Sequence, residues 1–329
     1  MKRCSVGGQA VMEGVMMRTP EGAIALAVRK ADGTIVTEYT AKKAKSDHPA
    51  LKWPVVRGVV AFVDSLSVGM KMTTRSAELY GEGIEEEPSR FEKWLAAKTG
   101  KSAMDVAIAV AVVLAVALAV GLFVFLPSLT TQLISWKEAT PRIWKSLTEG
   151  FVRLIIFLAY ITVIALMKDI RRVYMYHGAE HKTIACYEHE VELTPENAMK
   201  YSRLHPRCGT NYLFLVMAVS ILFFAILPYT ENFFLRFLTR LVFLPLVAGL
   251  AYEVLKLAAA SDKLWARIIR APGLGLQYLT TREPEQDMIE VAIAAFYLAM
   301  NKGKSDKLMP ENDAEAEPAQ SETKEPDNT

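Results

Sequence analysis

Residues 176–190 read YHGAEHKTIACYEHE. His177, Glu180 and His181 form H-x-x-E-H, and three of the chain's five histidines fall inside this window. On a helix, His177 and His181 lie one turn apart on one face. Glu188, eleven residues after His177, falls close to the same stripe. Two imidazoles and a carboxylate so placed can grip one divalent ion, provided the helix runs unbroken to Glu188. Glu180 sits one residue off the stripe. In H-x-x-E-H peptidases that glutamate is the general base rather than a ligand. The competing reading is a polar face whose histidines bond Tyr174, Tyr176 or lipid phosphates.

A second donor cluster, HPRCGT at 205–210, offers His205 and Cys208, nitrogen and sulfur donors suited to zinc. The segment Glu192–Leu204 reads as a short helix beginning near Thr194–Pro195, able to fold the second cluster back onto the first. Further ligand candidates are Glu188, Glu190 and Glu253. The ligand set decides the role. His177, His181, His205 and Cys208 together would close a structural site, whereas two histidines and a carboxylate would leave a position open for chemistry. The cofactor expected in either case is a divalent metal, with zinc preferred.

The elements that must position these residues are apolar. The chain has 329 residues, 52% of them hydrophobic, with a mean hydropathy of +0.19. The apolar residues are concentrated in four blocks: Ala103–Leu126, Phe151–Met167, Tyr212–Leu227 and Phe233–Leu257. About 20 helical residues cross the hydrocarbon, so four transmembrane helices are expected, the second being short and the fourth charged. Lysines and arginines flank them asymmetrically: Arg90, Lys93, Lys98 and Lys101 before the first, Lys168 to Arg207 between the second and third, and Lys263, Arg267 and Arg270 after the fourth. That bias puts both termini and the histidine-rich loop on the cytoplasmic side of an inner membrane. No signal peptide is visible. Three cysteines on a reducing side are not a disulfide framework. The formal charge of +2 is too small to argue for nucleic acid, leaving the lipid bilayer as the first partner.

The expected fold is a mainly α membrane protein with about four transmembrane helices, a small N-terminal β-hairpin or sheet, and cytoplasmic helices. Residues 1–50 form the β-rich segment. Ala23–Arg29 and Thr34–Tyr39 pair across Ala31-Asp32-Gly33-Thr34, and Ala10–Arg18 is a candidate third strand. An isolated hairpin is marginal, so the sheet must dock elsewhere. Residues 51–102 hold an apolar helix from Pro54 to Tyr80, lying at the interface or packed on the cytoplasmic domain, then a charged linker from Glu82 to Arg90. Residues 103–260 form the transmembrane region, with the histidine-rich loop at 168–210. In 261–300, Ala271–Gln277 (APGLGLQ) breaks the chain before a capped helix. Residues 301–329 are a disordered acidic tail.

Four blocks in order, GGQAVMEGVMMR, YHGAEHKTI, HPRCGT, and LTTREP with IEVAIAA, resemble the YqhQ-like family of bacterial and plastid-related membrane proteins. The resemblance covers about residues 3 to 298. It implies membrane location, and some members carry the label of predicted metal-dependent enzymes.

Two functions follow. One is a membrane-bound zinc hydrolase at the cytoplasmic face, with Glu180 as base, acting on a lipid-like molecule or a membrane peptide under a roof formed by Pro54–Met72. The other is a non-enzymatic membrane factor whose His/Cys/Glu cluster is a structural metal or hydrogen-bond site. A transporter, four spans pairing in a homo-oligomer, is a weaker third.

Overall fold

The computed structural model describes residues 4, 6–41, 49–81, 103–137, 139–206, 208–261 and 263–305. The expected linker from Glu82 to Arg90 lies outside them, as does the expected tail 301–329 except for residues 301–305, which continue the last helix instead.

The N-terminal sheet is an antiparallel meander of four strands: β1 (Gly7–Val11), β2 (Gly14–Arg18), β3 (Ile24–Arg29) and β4 (Ile35–Thr40). The β3–β4 hairpin stands where the turn chemistry puts it. Gly33 takes a φ of +87°, and Asp32 Oδ1 accepts from the Thr34 N–H at 2.9 Å. The expected strand Ala10–Arg18 is instead split in two, because the chain reverses at Met12–Glu13, where Glu13 has a φ of 48°. The Glu13 carboxylate holds that turn against the helices, accepting from Arg172 Nη2 at 2.6 Å and Tyr176 Oη at 3.2 Å.

Strand alternation sends Val15, Met17, Ala25 and Ala27 to one face, and Met16, Leu26 and Val28 to the other. The second face packs on Met72 and Leu79 of α1 (Val56–Gly81). The first packs on α5 (Lys168–Glu188) and α10 (Gln286–Ser305), through Tyr176, Ala179, Met288, Ala292 and Phe296. A sheet covered on both sides explains why GVMMR is apolar without alternation. It also answers the docking question.

The apolar blocks form α2 (Ala103–Val120), a π-helical turn (Gly121–Phe125), α3 (Leu126–Leu133), α4 (Arg142–Ile164), α7 (Thr210–Ile226) and α8 (Phe233–Ala259). Among the described residues three segments are long and apolar enough to cross a membrane: Ala109–Leu133, Arg142–Ile164 and Phe233–Ala259. The third expected span, α7, has only 17 residues. It packs between α4, α8 and α9 (Leu264–Thr280), with Met217 meeting Phe157, Ile161 and Leu276.

The expected break at Ala271–Gln277 does not occur. α9 runs through it with Pro272 inside. Tertiary contact overrides the local signal: Gly273 lies so close to α7 that a Cβ there would fall 2.3 Å from Asn211 Oδ1. Among the spans, Glu149 and Arg153 of α4 meet Arg236 and Arg240 of α8, all four buried.

Candidate metal centre

The two histidines reach one point because α5 is unbroken from Lys168 to Glu188. Their rings are 4.4 Å apart, centre to centre. Each ring is aimed by a backbone carbonyl. His177 Nδ1 lies 2.9 Å from Thr280 O, and His181 Nδ1 lies 2.5 Å from Arg203 O. A carbonyl only accepts, so each Nδ1 carries a hydrogen, and a ring that is neutral then has its Nε2 lone pair on the other side. Metal-binding imidazoles are commonly fixed by such a bond on the far nitrogen. His181 Nε2 is buried and has no hydrogen-bond partner.

Cys208 supplies the third donor. Its Sγ lies 3.1 Å from His177 Nε2 and accepts from Thr210 Oγ1 at 3.2 Å. One ligand atom from each of His177, His181 and Cys208 falls within 4.8 Å of the others. The segment carrying Cys208 is laced down on both sides. Thr194 caps the short helix α6 (Pro195–Met199) by accepting from Asn197 N at 3.3 Å. Lys182 Nζ donates to Tyr201 O at 2.7 Å, and Arg203 Nη1 donates to Thr281 Oγ1 at 3.0 Å. The expected foldback of the second cluster onto the first is therefore seen.

Glu180 stands at the edge of the group. Oε1 accepts from the Gly8 N–H at 3.0 Å, while Oε2 is buried without a hydrogen bond, 4.0 Å from His177 Nε2. Burial pushes its carboxyl above the ordinary range, against the opposing pull of His177 and the Gly8 amide. Gly8 has to be glycine for this contact, since a Cβ there would fall 2.8 Å from Glu180 Cγ.

The remaining candidates are not part of the three-donor group, although His205 and Glu188 lie beside it. His205 is held by its backbone, its N–H donating to Gln277 Oε1 at 2.8 Å and its carbonyl accepting from Gln277 Nε2 at 2.9 Å. Its ring centre lies 5.6 Å from that of His181, and its Nε2 is 3.5 Å from Glu188 Oε2. Glu188 also accepts from the Cys4 N–H at 2.7 Å. Glu253 pairs with Arg57 of α1 and accepts from Val55 N at 3.2 Å. Glu190 follows the C-terminus of α5, is exposed and has a φ of 60°. The residues that sequence reasoning missed act through backbone: Thr280 and Arg203 by their carbonyls, which carry no side-chain signature. Gly8 was visible as a residue permitting close approach, without the partner it approaches.

The donor set fits a borderline-soft cation, since two imidazole nitrogens and one sulfur are zinc ligands. A cavity of about 490 Å³ opens beside His177 and Cys208, walled by Phe62 and Leu66 of α1, Leu213 of α7 and Leu255 of α8.

Helices able to cross a bilayer, a small sheet clamped between helices, and a His/His/Cys group at the seam define a membrane protein with a candidate metal centre. The chain belongs to the family described as "Protein of unknown function (DUF1385)", which matches residues 53–302. It is 35% identical over 300 residues to "Uncharacterized protein YqhQ" of Bacillus subtilis (strain 168), covering 88% of this chain and 90% of that relative. The resemblance carried by the four sequence blocks thus holds at the level of the family. No solved structure matches the chain.

Proposed function

We propose that the chain is an integral membrane zinc hydrolase with its site at the cytoplasmic face of an inner membrane. The observation that carries the metal is that one ligand atom from each of His177, His181 and Cys208 falls within 4.8 Å of the others, while each ring's Nδ1 is bonded to a carbonyl and its Nε2 is left to serve as ligand. Buried polar atoms are ordinarily satisfied, and the orphaned His181 Nε2 asks for a partner. Among the described residues three donors converge and a cavity adjoins them, the arrangement of an open site. Zinc so held supplies Lewis acidity to a reacting carbonyl and its attacking water. Glu180 is the general base. Its unbonded Oε2 faces the group and can take the proton, and a carboxyl raised by burial is tuned in the right direction for that task.

This placement takes four crossings, the three candidate spans and α7. α5 packs on α10, and the sheet packs on both α1 and α5. An even number of crossings must therefore separate α1 from α5, and α5 from α10. α2–α3 with α4 make the first pair. α8 needs α7 to make the second, although 17 residues rise only about 25 Å. The basic residues on and after α5 favour the cytoplasmic side for it.

A second reading keeps the metal but not the reaction. The Gly8 bond to Glu180 and the Cys4 bond to Glu188 pin the chain start to α5, as a structural centre would. Two measurements decide. Detergent-purified wild type should carry one zinc per chain and His181→Ala almost none; equal content in both would end the metal assignment. In the cobalt-substituted protein, added azide should change the visible spectrum, because an open position accepts it. An unchanged spectrum would mean a closed, structural centre.

A further inference from the structure

We infer that the cavity beside His177 and Cys208 receives an acyl chain of a membrane lipid, whose acyl–oxygen bond is the one hydrolysed. This deepens the metal-hydrolase reading of the same site and rests on it.

The cavity is built where the bilayer meets the cytoplasmic domain. Leu213 lies in the first turn of α7 and Leu255 near the end of α8, so its walls are the ends of two apolar helices. On the other side it is closed by Phe62 and Leu66, from the middle of α1. Two wall residues also face outward, Leu66 being 54% and Leu213 41% exposed. Val63 and Met70 continue that exposed apolar strip along α1, at 54% and 49%. An opening rimmed by exposed leucines, level with helix ends, is continuous with the hydrocarbon rather than with water.

The opposite end is polar. Gly8, Gln9, Ser65 and Thr210 line it together with His177 and Cys208. Ser65 and Gln9 also line a second space of about 310 Å³, and Ser65 with Arg18 borders a third of about 720 Å³ that includes Asp64, Glu21 and Lys71. The three spaces adjoin around α1, all of them touching Ser65. An amphiphile laid in them would keep its chain among Phe62, Leu66, Leu213 and Leu255 and its carbonyl near Cys208 and His177. Its head would lie toward Arg18 and Lys71, where two acidic groups balance two basic ones. The first space is within the roughly 300–1,000 Å³ of small-ligand sites. A folded peptide helix, about 10 Å across with its side chains, suits it less than a single chain.

The reaction balances as hydrolysis. Water's oxygen bonds the acyl carbon and the bond from that carbon to the leaving oxygen breaks. Glu180 takes a proton from the water and passes it to the leaving alkoxide. The products are a carboxylic acid and an alcohol.

The test uses the full-length holoprotein in vesicles of phosphatidylethanolamine and phosphatidylglycerol doped with a phosphatidylcholine bearing a photoreactive diazirine on its acyl chain. Labelling should concentrate on the peptides holding Leu66 and Leu213, several-fold above those holding Val113 and Leu114, whose side chains are also exposed. Leu213→Trp and, independently, Ala61→Leu should fill the space and lower that labelling to the level of the α2 peptides, with zinc content unchanged. His181→Ala should lose zinc and keep the labelling, so failure of the metal reading is seen separately. Even labelling of all apolar helices would overturn the inference. So would displacement of the probe by a transmembrane peptide but not by excess unlabelled lipid.

Discussion

Two buried polar clusters can be set side by side. Among the spans, three guanidiniums surround one carboxylate. Arg240 Nε donates to Glu149 Oε1 at 2.9 Å, Arg153 Nη2 reaches the same oxygen at 3.3 Å, and Arg236 Nε stands 3.6 Å from Oε2. The other donors find oxygens of the fold: Arg153 Nε gives to Phe123 O at 2.8 Å, and Arg236 Nη2 to Ser128 O at 2.9 Å. Arg240 also lies 4.1 Å over the Phe224 ring. At the seam the pattern is reversed. The imidazoles spend their N–H bonds on distant carbonyls and leave lone pairs facing one another's locus. The first cluster pairs its charges within the chain, with only Arg236 Nε left short of a hydrogen bond, and ties α3, α4, α7 and α8 together; the second leaves His181 Nε2 and Glu180 Oε2 unbonded beside a cavity. Charge buried in a membrane segment is a poor guide to chemistry on its own, and the convergence of lone-pair donors on one locus, rather than the pairing of opposite charges, separates the two cases.

The contrast can be broken first at Glu149. Glu149→Ala should destabilise the fold by about 3–5 kcal/mol, the effect of leaving buried charges uncompensated, and should sharply lower the yield of protein that stays monodisperse in detergent. Zinc bound per recovered chain should be unchanged. A metal content that fell in step with stability would show the two clusters to be one unit.

Glu180→Gln should do the opposite. Acyl-ester hydrolysis should fall by about 10²–10⁴-fold, the worth of a general base, with zinc retained and thermal stability in detergent unchanged or higher. Loss of zinc in this variant would make Glu180 a ligand instead.

Gly8→Ala lies between these effects. Its Cβ must displace Glu180 or β1, an overpacking of about 1–3 kcal/mol. Proteolysis should then release the N-terminal strand more readily, while the spans resist as before.

The smallest effect belongs to an exposed pair. Arg75 Nη2 lies 2.5 Å from Glu38 Oε1, and this hydrogen bond lowers the Glu38 carboxyl below its ordinary 4.5. A depressed carboxyl adds stability above its unfolded value, and that stability is lost as pH falls through the folded one. Glu38→Gln should therefore flatten melting temperature against pH only below about 4.5. With both side chains about a third exposed, screening keeps the difference within about 1 kcal/mol. A change near neutrality would mean that β4 feels the metal centre.

Much of this was legible because it is local. The i, i+4 spacing of His177 and His181 needed only a helix, and Thr194–Pro195 announced the foldback. The β3–β4 turn was written in Asp32 and Gly33. What could not be read was nonlocal. His205 and Cys208 are equal candidates three residues apart. Gln277, 72 residues away, fixes the backbone of one, and Thr210 supplies donors to the other. Glu188 kept its place on the stripe, but its oxygens are engaged by Cys4 and His205. Glu253 faces Arg57, from an element almost 200 residues earlier. Pro272 and Gly273 spell a break, yet close packing on Asn211 holds the helix through them.

The carbonyl of Thr280 orients His177 from 103 residues downstream. During synthesis all three donors have emerged once Cys208 is made, but the first ring has nothing to hold it until α9 follows the last apolar helices. If the group holds an ion, its uptake should therefore require the finished chain. A truncated protein ending before α9 would hold these donors loosely and should bind zinc more weakly than the full chain.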